Sequence, residues 1–155
     1  HKNTGRPLKE GKWFEKFRSN YLDVDNDALY PFGYGLSYTT FRFSDITLNR
    51  SSIGMDNELV ASVTVTNTGD RAGSEVVQLY IRDLVGSVTR PVKELKGFEK
   101  IYLQPNESRT VRFTIAPEML KFYNADLKFV AEPGDFDVMI GPDSRNVKTA
   151  RFTLR

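Results

Sequence analysis

Few residues in this chain have side chains suited to covalent or metal chemistry. Its 155 residues hold one histidine, His1, and no cysteine. A Ser-His-Asp relay within a folded domain and a multi-histidine metal site both fail at that inventory. A thiol nucleophile, a disulfide framework and a thiolate metal site fail with them. The 20 Asp and Glu residues could always supply a pair of carboxylates. Most of them fall on polar strand faces or in turns, where carboxylates ordinarily serve solubility. Asp23, Asp25 and Asp27 have the alternate spacing of a calcium loop. An EF-hand also needs Gly at its sixth position and a bidentate acid at its twelfth, and those places hold Ala28 and Tyr34. The glycines of "GYGLSY" (33–38) form an incomplete G-x-G-x-x-G that precedes a strand rather than opening a helix, so a phosphate cradle is unsupported. Asn49-Arg50-Ser51 and Asn106-Glu107-Ser108 match the glycosylation sequon, a pattern short enough to arise by chance.

That leaves the aromatics. "LYPFGYGLSYTTF" (29–41) holds three tyrosines, two phenylalanines, two glycines and a proline, without a charge. Trp13, Tyr30, Tyr34 and Tyr38 could form a platform on which the CH faces of sugar rings stack. Packing against protein is the reading that composition favours, since aromatics with a polar tip are common at interfaces. Pro31, Gly33 and Gly35 suit a path with sharp turns and close backbone approach.

These residues need a scaffold, and the pattern from about residue 41 supplies one. "LVASVTVT" alternates, with Leu59, Ala61, Val63 and Val65 on one side. "VVQLYIR" sets Val77, Leu79 and Ile81 opposite Gln78, Tyr80 and Arg82. Val111, Phe113 and Ile115 follow, then Leu127, Phe129 and Ala131, then Phe136, Val138 and Ile140, and finally Phe152 and Leu154. Alternation of this kind predicts strands with one face on a core and one in water. In the first strand the phase slips: Phe41 and Phe43 are odd, Ile46 and Leu48 even. A β-bulge or a bend near Ser44-Asp45 is the expected repair. "NTGD" (67–70), "QPNE" (104–107), "EPGD" (132–135) and "GPDS" (141–144) carry turn chemistry, and "PEMLKF" (117–122) suggests one helical turn. The fold expected is all-β: a two-sheet antiparallel sandwich of the immunoglobulin or fibronectin III kind, preceded by an N-terminal extended arm.

Charge is unevenly placed. Residues 1–22 hold six Lys or Arg and two Glu, a balance of +4, so the remainder, 16 against 18, is −2. A nucleic-acid reader would carry a basic face on its folded domain, and this sequence does not. No apolar run is long enough for a membrane span. The chain opens at His1 without a charged-then-apolar leader, which suggests a piece of a longer protein.

Several long motifs agree with one known family. "YPFGYGLSYTTF" (30–41) resembles the segment that introduces the C-terminal fibronectin type III-like domain of family 3 glycoside hydrolases. The likeness continues through "VTVTNTGDRAGSEVVQLYIRD" (63–83), "RPVKELKGFEKIYLQPNES" (90–108) and "EPGDFDVMIGPDS" (132–144), in the order seen in bacterial β-glucosidases, periplasmic ones included. It covers residues 29 to 155. One departure is Asn106, where the family pattern has Gly; Asn tolerates the left-handed conformation, so the turn is expected to survive.

The resemblance implies a layout of catalytic (β/α)8 barrel, α/β sandwich and this β-sandwich. The nucleophilic Asp and the acid/base Glu would lie on the first two, upstream of His1. No catalytic residue, metal site or cofactor is carried over. The implied reaction is retaining hydrolysis of a β-glucoside through two carboxylates, in a periplasmic or secreted parent. Residues 1–40 then read as the end of the preceding domain and a connector, and 41–155 as the sandwich. Trp13, Phe14, Tyr30, Phe32, Tyr34 and Tyr38 become candidates for packing between domains, against the barrel and α/β domains of the same polypeptide. The other readings are a carbohydrate-binding module and a protein-interaction module. The aromatics are expected to be either buried under residues 1–28 or conspicuously exposed.

Overall fold

A computed structural model describes residues 27–155, and the part of the expected extended arm that precedes them, with Trp13 and Phe14, lies outside the described residues. The compact unit considered below spans Phe32–Arg155.

Eleven strands follow in order: β1 (Phe41–Phe43), β2 (Thr47–Leu48), β3 (Ser52–Ile53), β4 (Leu59–Asn67), β5 (Gly73–Asp83), β6 (Glu94–Leu103), β7 (Ser108–Ile115), β8 (Phe122–Tyr123), β9 (Phe129–Val130), β10 (Gly134–Gly141) and β11 (Lys148–Leu154). One sheet is built around β4, with β7 on one edge and β1 and β2 on the other. The second runs β3-β11-β10-β5-β6. The expected sandwich is therefore present, and it is antiparallel throughout except where the short β3 runs parallel to β11. A separate two-stranded ribbon joins β8 to β9.

The core is the set of inward rows. Leu59, Ala61, Val63 and Val65 of β4 meet Val77, Leu79 and Ile81 of β5, with Val138, Ile140 and Leu154 completing the far side. Burial of such side chains is the main favourable term, on the order of 1.5–3 kcal/mol for each large one. Phe136 and Phe152 are ladder partners whose rings stack 5.5 Å apart between centroids.

The phase slip at the start resolves as expected. Phe43 pairs with Val65, but Thr47 pairs with Ser62, so four steps on one strand match three on the other. The extra residue is absorbed at Ser44, whose N–H donates to Thr64 O at 2.9 Å and whose Oγ accepts from Thr64 N–H at 2.9 Å. Phe41, Phe43, Ile46 and Leu48 consequently all pack on the core. Pro117–Leu120 form a single 3₁₀ turn with Pro at its start, as "PEMLKF" suggests.

Two expectations need correction. Leu127 and Phe129 do not point inward: both are exposed, Leu127 sits at φ 59° within a turn, and only Phe129–Val130 pair, with β8. A five-residue alternation is too short to outweigh the turn signal of the neighbouring "NAD". The periodicity also passes over β6, because its inward row is interrupted by Gly97 and Glu99 before Ile101 and Leu103.

Asn106 adopts φ 63° in the turn between β6 and β7. Asn106→Val should cost about 1–3 kcal/mol, the usual size of left-handed strain in a bulky residue. Asn106→Gly should stay within about 0.5–1 kcal/mol of the original. Urea denaturation of the three proteins checks both.

Candidate functional site

The segment 32–40 precedes β1 without joining a sheet, yet it is pinned at two places. The first is the outer face of β5. Gln78 and Tyr80 belong to the outward row, where water is expected, but Gln78 is 5% and Tyr80 2% exposed. Their cover is the segment itself together with the β10–β11 turn. Gln78 Nε2 donates to Gly33 O at 3.0 Å and also to Pro142 O, while Tyr80 Oη–H donates to Gln78 Oε1. Ser144 N–H donates to Phe32 O at 2.9 Å, and Lys93 Nζ to Ser144 O at 2.6 Å. Gly33 is required here twice over. Its φ is 80°, and a Cβ on it would lie 2.0 Å from Gln78 Oε1. Gly35 has no such constraint, since a Cβ there meets nothing within 4 Å. Of the two glycines in "GYG", one makes the close approach.

The second pin is Asn67, fully buried at the end of β4. Its Oδ1 accepts from Thr39 Oγ–H at 2.7 Å and from Gly69 N–H at 3.1 Å. Its Nδ2 donates to Arg71 O at 2.7 Å and Leu103 O at 3.1 Å. Its main chain exchanges hydrogen bonds with Glu107 O and Asn106 N–H. One residue thus joins the entry segment, the β4–β5 turn and the end of β6 through its side chain, and the β6–β7 turn through its main chain. Thr68 N–H adds a bond to Thr40 O at 2.8 Å.

Beside the first pin lies a small acidic group. Asp143 is buried in its turn, where burial would raise its pKa, but the Asn146 side chain, the Asn146 and Arg145 amides and the Arg145 charge outweigh burial and hold it below the ordinary carboxylate range. Glu75 is pushed up by burial, against the pull of the Val76 amide, and further by the Asp143 charge. Tyr80 is raised by burial and by the same charge.

A second group surrounds the β5–β6 loop, which borders an open concavity of about 500 Å³. Arg90 stands 4.3 Å over the Phe122 ring and pairs with Glu94 at 3.0 Å; its Nε is 4.0 Å from Asp83. Burial raises the Asp83 pKa, with the Val85 amide and Arg90 opposing it and Glu132 and Glu94 reinforcing it. Glu132 accepts from Ser87 N–H and Oγ–H, and Lys96 pairs with Glu94. These carboxylates brace the loop against its neighbours. Among the described residues no group of three or more His, Cys, Asp or Glu is placed to hold a metal ion, and no helix is long and apolar enough to cross a membrane.

Of the aromatics singled out in the sequence, Tyr30, Phe32, Tyr34 and Tyr38 are exposed, Tyr38 by 94%. The compact unit brings Phe32, Tyr34 and Tyr38 onto the pinned segment. Asn67, Gln78 and Asp143, the residues that do the pinning, carry no signal in the alternation. Asn67 reads as part of a turn, Gln78 as a solvated strand position, and Asp143 as ordinary turn chemistry.

The described fold is that of a fibronectin III-like β-sandwich domain. Residues 75–144 match the family described as the fibronectin type III-like domain, and the chain carries a domain of that family. It is 54% identical over 154 residues to the periplasmic β-glucosidase of Salmonella typhimurium, covering 99% of this chain and 20% of that protein. It is 50% identical to a putative β-xylosidase of Formosa agariphila, over 90% of this chain and 18% of that one. Among solved structures, a mutant β-glucosidase from Listeria innocua in complex with laminaribiose superposes with a TM-score of 0.90 at 40% identity, over 100% of this chain and 21% of that one. The chain is thus a segment of the kind carried by family 3 β-glucosidases, and it spans about one fifth of the length of the curated relatives it matches.

Two tests follow from the geometry. Gly33→Ala should lower the melting temperature by several degrees, while Gly35→Ala should leave it within about one degree, because a loss of 1 kcal/mol in a chain of this size corresponds to about 2–4 °C. Thermal melts of both variants decide it. Glu75→Gln keeps the oxygen that accepts from Val76 but removes a charge that burial disfavours. Because the folded pKa of Glu75 is raised, its ionised form weakens the fold at neutral pH. The variant should therefore melt higher at pH 7, and the difference should close as pH falls through the folded pKa towards about 4, where both states are protonated.

Proposed function

We propose that this chain is the non-catalytic C-terminal structural domain of a retaining β-glucosidase that acts in the periplasm or is secreted. Residues 1–40 are the end of the preceding domain and its connector, and residues 41–155 are the sandwich. The observation that carries the reading is the end-to-end likeness, at 54% identity, to one fifth of a periplasmic β-glucosidase. The rest of such a polypeptide supplies the barrel and α/β domains. On them sit the two carboxylates that form and hydrolyse a covalent glycosyl intermediate from a terminal β-glucosyl residue. That chemistry needs neither metal nor cofactor.

The geometry supports a supporting role for the sandwich. Several of its carboxylates are committed to turns and to ion pairs that brace loops, as Asp143 and Glu94 are. Its outer surface carries aromatics on a backbone fixed by buried hydrogen bonds. A rigid sheet that presents aromatic side chains suits lasting contact with protein. Tyr30, Phe32, Tyr34 and Tyr38, together with Trp13 and Phe14, are assigned to packing between domains.

The 155-residue chain, assayed alone on an aryl β-glucoside, should show no turnover above buffer. Measurable turnover would place catalysis in this domain and overturn the reading. Titration with glucosides, followed by Trp13 and tyrosine fluorescence, should show no saturation below millimolar concentration. Saturable binding there would make it a carbohydrate-binding module instead.

A further inference from the structure

A separate pair of exposed rings lies on the β8–β9 ribbon, which belongs to neither main sheet. The ribbon has two faces. On the inner one Phe122 is buried under the Arg90 guanidinium, 4.3 Å from its ring centre. On the outer one Tyr123 and Phe129 are ladder partners, 66% and 54% exposed, with ring centres 5.0 Å apart and planes at 42°. The connecting turn is fixed from within: Asn124 Oδ1 accepts from the Asp126 and Lys128 amides, each at 3.0 Å. Leu127 stands exposed at its tip. Among the described residues nothing pairs with the Tyr123 hydroxyl, the Asp126 carboxylate or the Lys128 ammonium. The ribbon stands away from the Asn67 pin, because Arg90 follows β5 beyond its Asp83 end, whereas Thr39 meets its Gly73 end.

We infer that the outer face of this ribbon is a contact site for a neutral polysaccharide chain, whose sugar rings stack on Tyr123 and Phe129. A pyranose has an apolar CH face and a rim of hydroxyls that both donate and accept. The ribbon carries the matching set: two ring faces, a carboxylate that accepts, an ammonium that donates and a phenol that does either. The same set disfavours a protein occupant. Asp and Lys are depleted from the cores of protein interfaces. A stable interface between separate chains also takes about 20–30 residues a side, far more than one hairpin offers. Two rings on an open face hold a single sugar weakly. A polymer gains because its repeated units keep the next ring close at hand. The contact is therefore compatible with the absence of saturation by simple glucosides below millimolar concentration. It goes beyond the packing role of this domain and uses none of the aromatics assigned to that role. Only the choice of a β-glucan as the chain rests on the β-glucosidase reading.

The test is affinity electrophoresis in native gels cast with barley β-glucan, with soluble starch or with no polymer. It is run on the full-length polypeptide that contains this segment and on the 155-residue chain, with melting and oligomeric state measured in parallel. β-Glucan should slow both unsubstituted proteins. Tyr123→Ala together with Phe129→Ala should weaken the apparent affinity at least about 10-fold in both, through the loss of two ring contacts. Asp126→Ala leaves the rings in place and should weaken it about 3-fold, through the loss of one hydrogen bond. Phe98→Ala, which removes an exposed ring on β6, should change nothing. If the ring pair melts below the running temperature, Asp126→Ala carries the comparison. Migration that neither polymer slows overturns the proposal, and so does retardation that the ribbon variants leave unchanged. A ribbon effect in the 155-residue chain but not in the full-length protein also overturns it, because another domain would then cover the rings. So does a dimer that the ring pair dissociates, which would make a second copy the occupant. Ribbon-dependent retardation by starch alone supports the contact and counts against the β-glucosidase reading. Hydrolysis of an aryl β-glucoside by the unsubstituted full-length protein is scored separately, and its absence would refute that reading without touching the ribbon result.

Discussion

A buried amide has four hydrogen-bonding positions, and each one left unmade costs roughly 1–3 kcal/mol. Asn67 satisfies all four, and the partners it uses come from three separate stretches of chain. This constraint organises one end of the sandwich. The β4–β5 turn must fold back so that Gly69 and Arg71 reach the amide. Strand β6 must end with the Leu103 carbonyl aimed inward. The entry segment must pass close enough for Thr39 to donate. A shift in any of the three leaves a partner of the amide unmatched, so the three are positioned together or not at all.

Gln78 repeats the arrangement on the outer face of the second sheet. Its amide holds Gly33 and Pro142, and Tyr80 closes the contact from below. Between these two amides the entry segment has little freedom, although it contributes no strand to either sheet. The aromatics it carries are therefore presented at fixed positions rather than on a loose tether. For the proposed packing role that rigidity is the relevant property, because interface side chains already ordered lose less entropy on docking.

Much of this was legible in the sequence. The alternation in β4, β5, β10 and β11 identified the inward rows, and the one-residue slip after Phe43 identified a bulge that the pairing of Phe43 with Val65 and Thr47 with Ser62 requires. The left-handed turn at Asn106 followed from what Asn tolerates. The outer face of β5 was not legible. Period two separates two faces, but it does not say whether the second one meets water or another segment, and Gln78 and Tyr80 look the same in either case. Leu127 and Phe129 were misassigned because so short a run cannot distinguish a core strand from a surface ribbon.

The sequence by itself determined the class of fold and the absence of thiol and multi-histidine chemistry, since composition and period-two patterning depend only on residue identity and order. Its long motifs were enough to indicate the family. Tertiary structure alone decided which of the two glycines in "GYG" makes a close approach, which turn residues become buried hubs, and which surface aromatics are neighbours. Phe98 and Gln78 are 20 positions apart in the chain, and only the β5–β6 ladder sets their side chains side by side on one face. Such proximity is a property of strand register, which arises when the two sheets close on their shared core and every trapped polar group finds its partner.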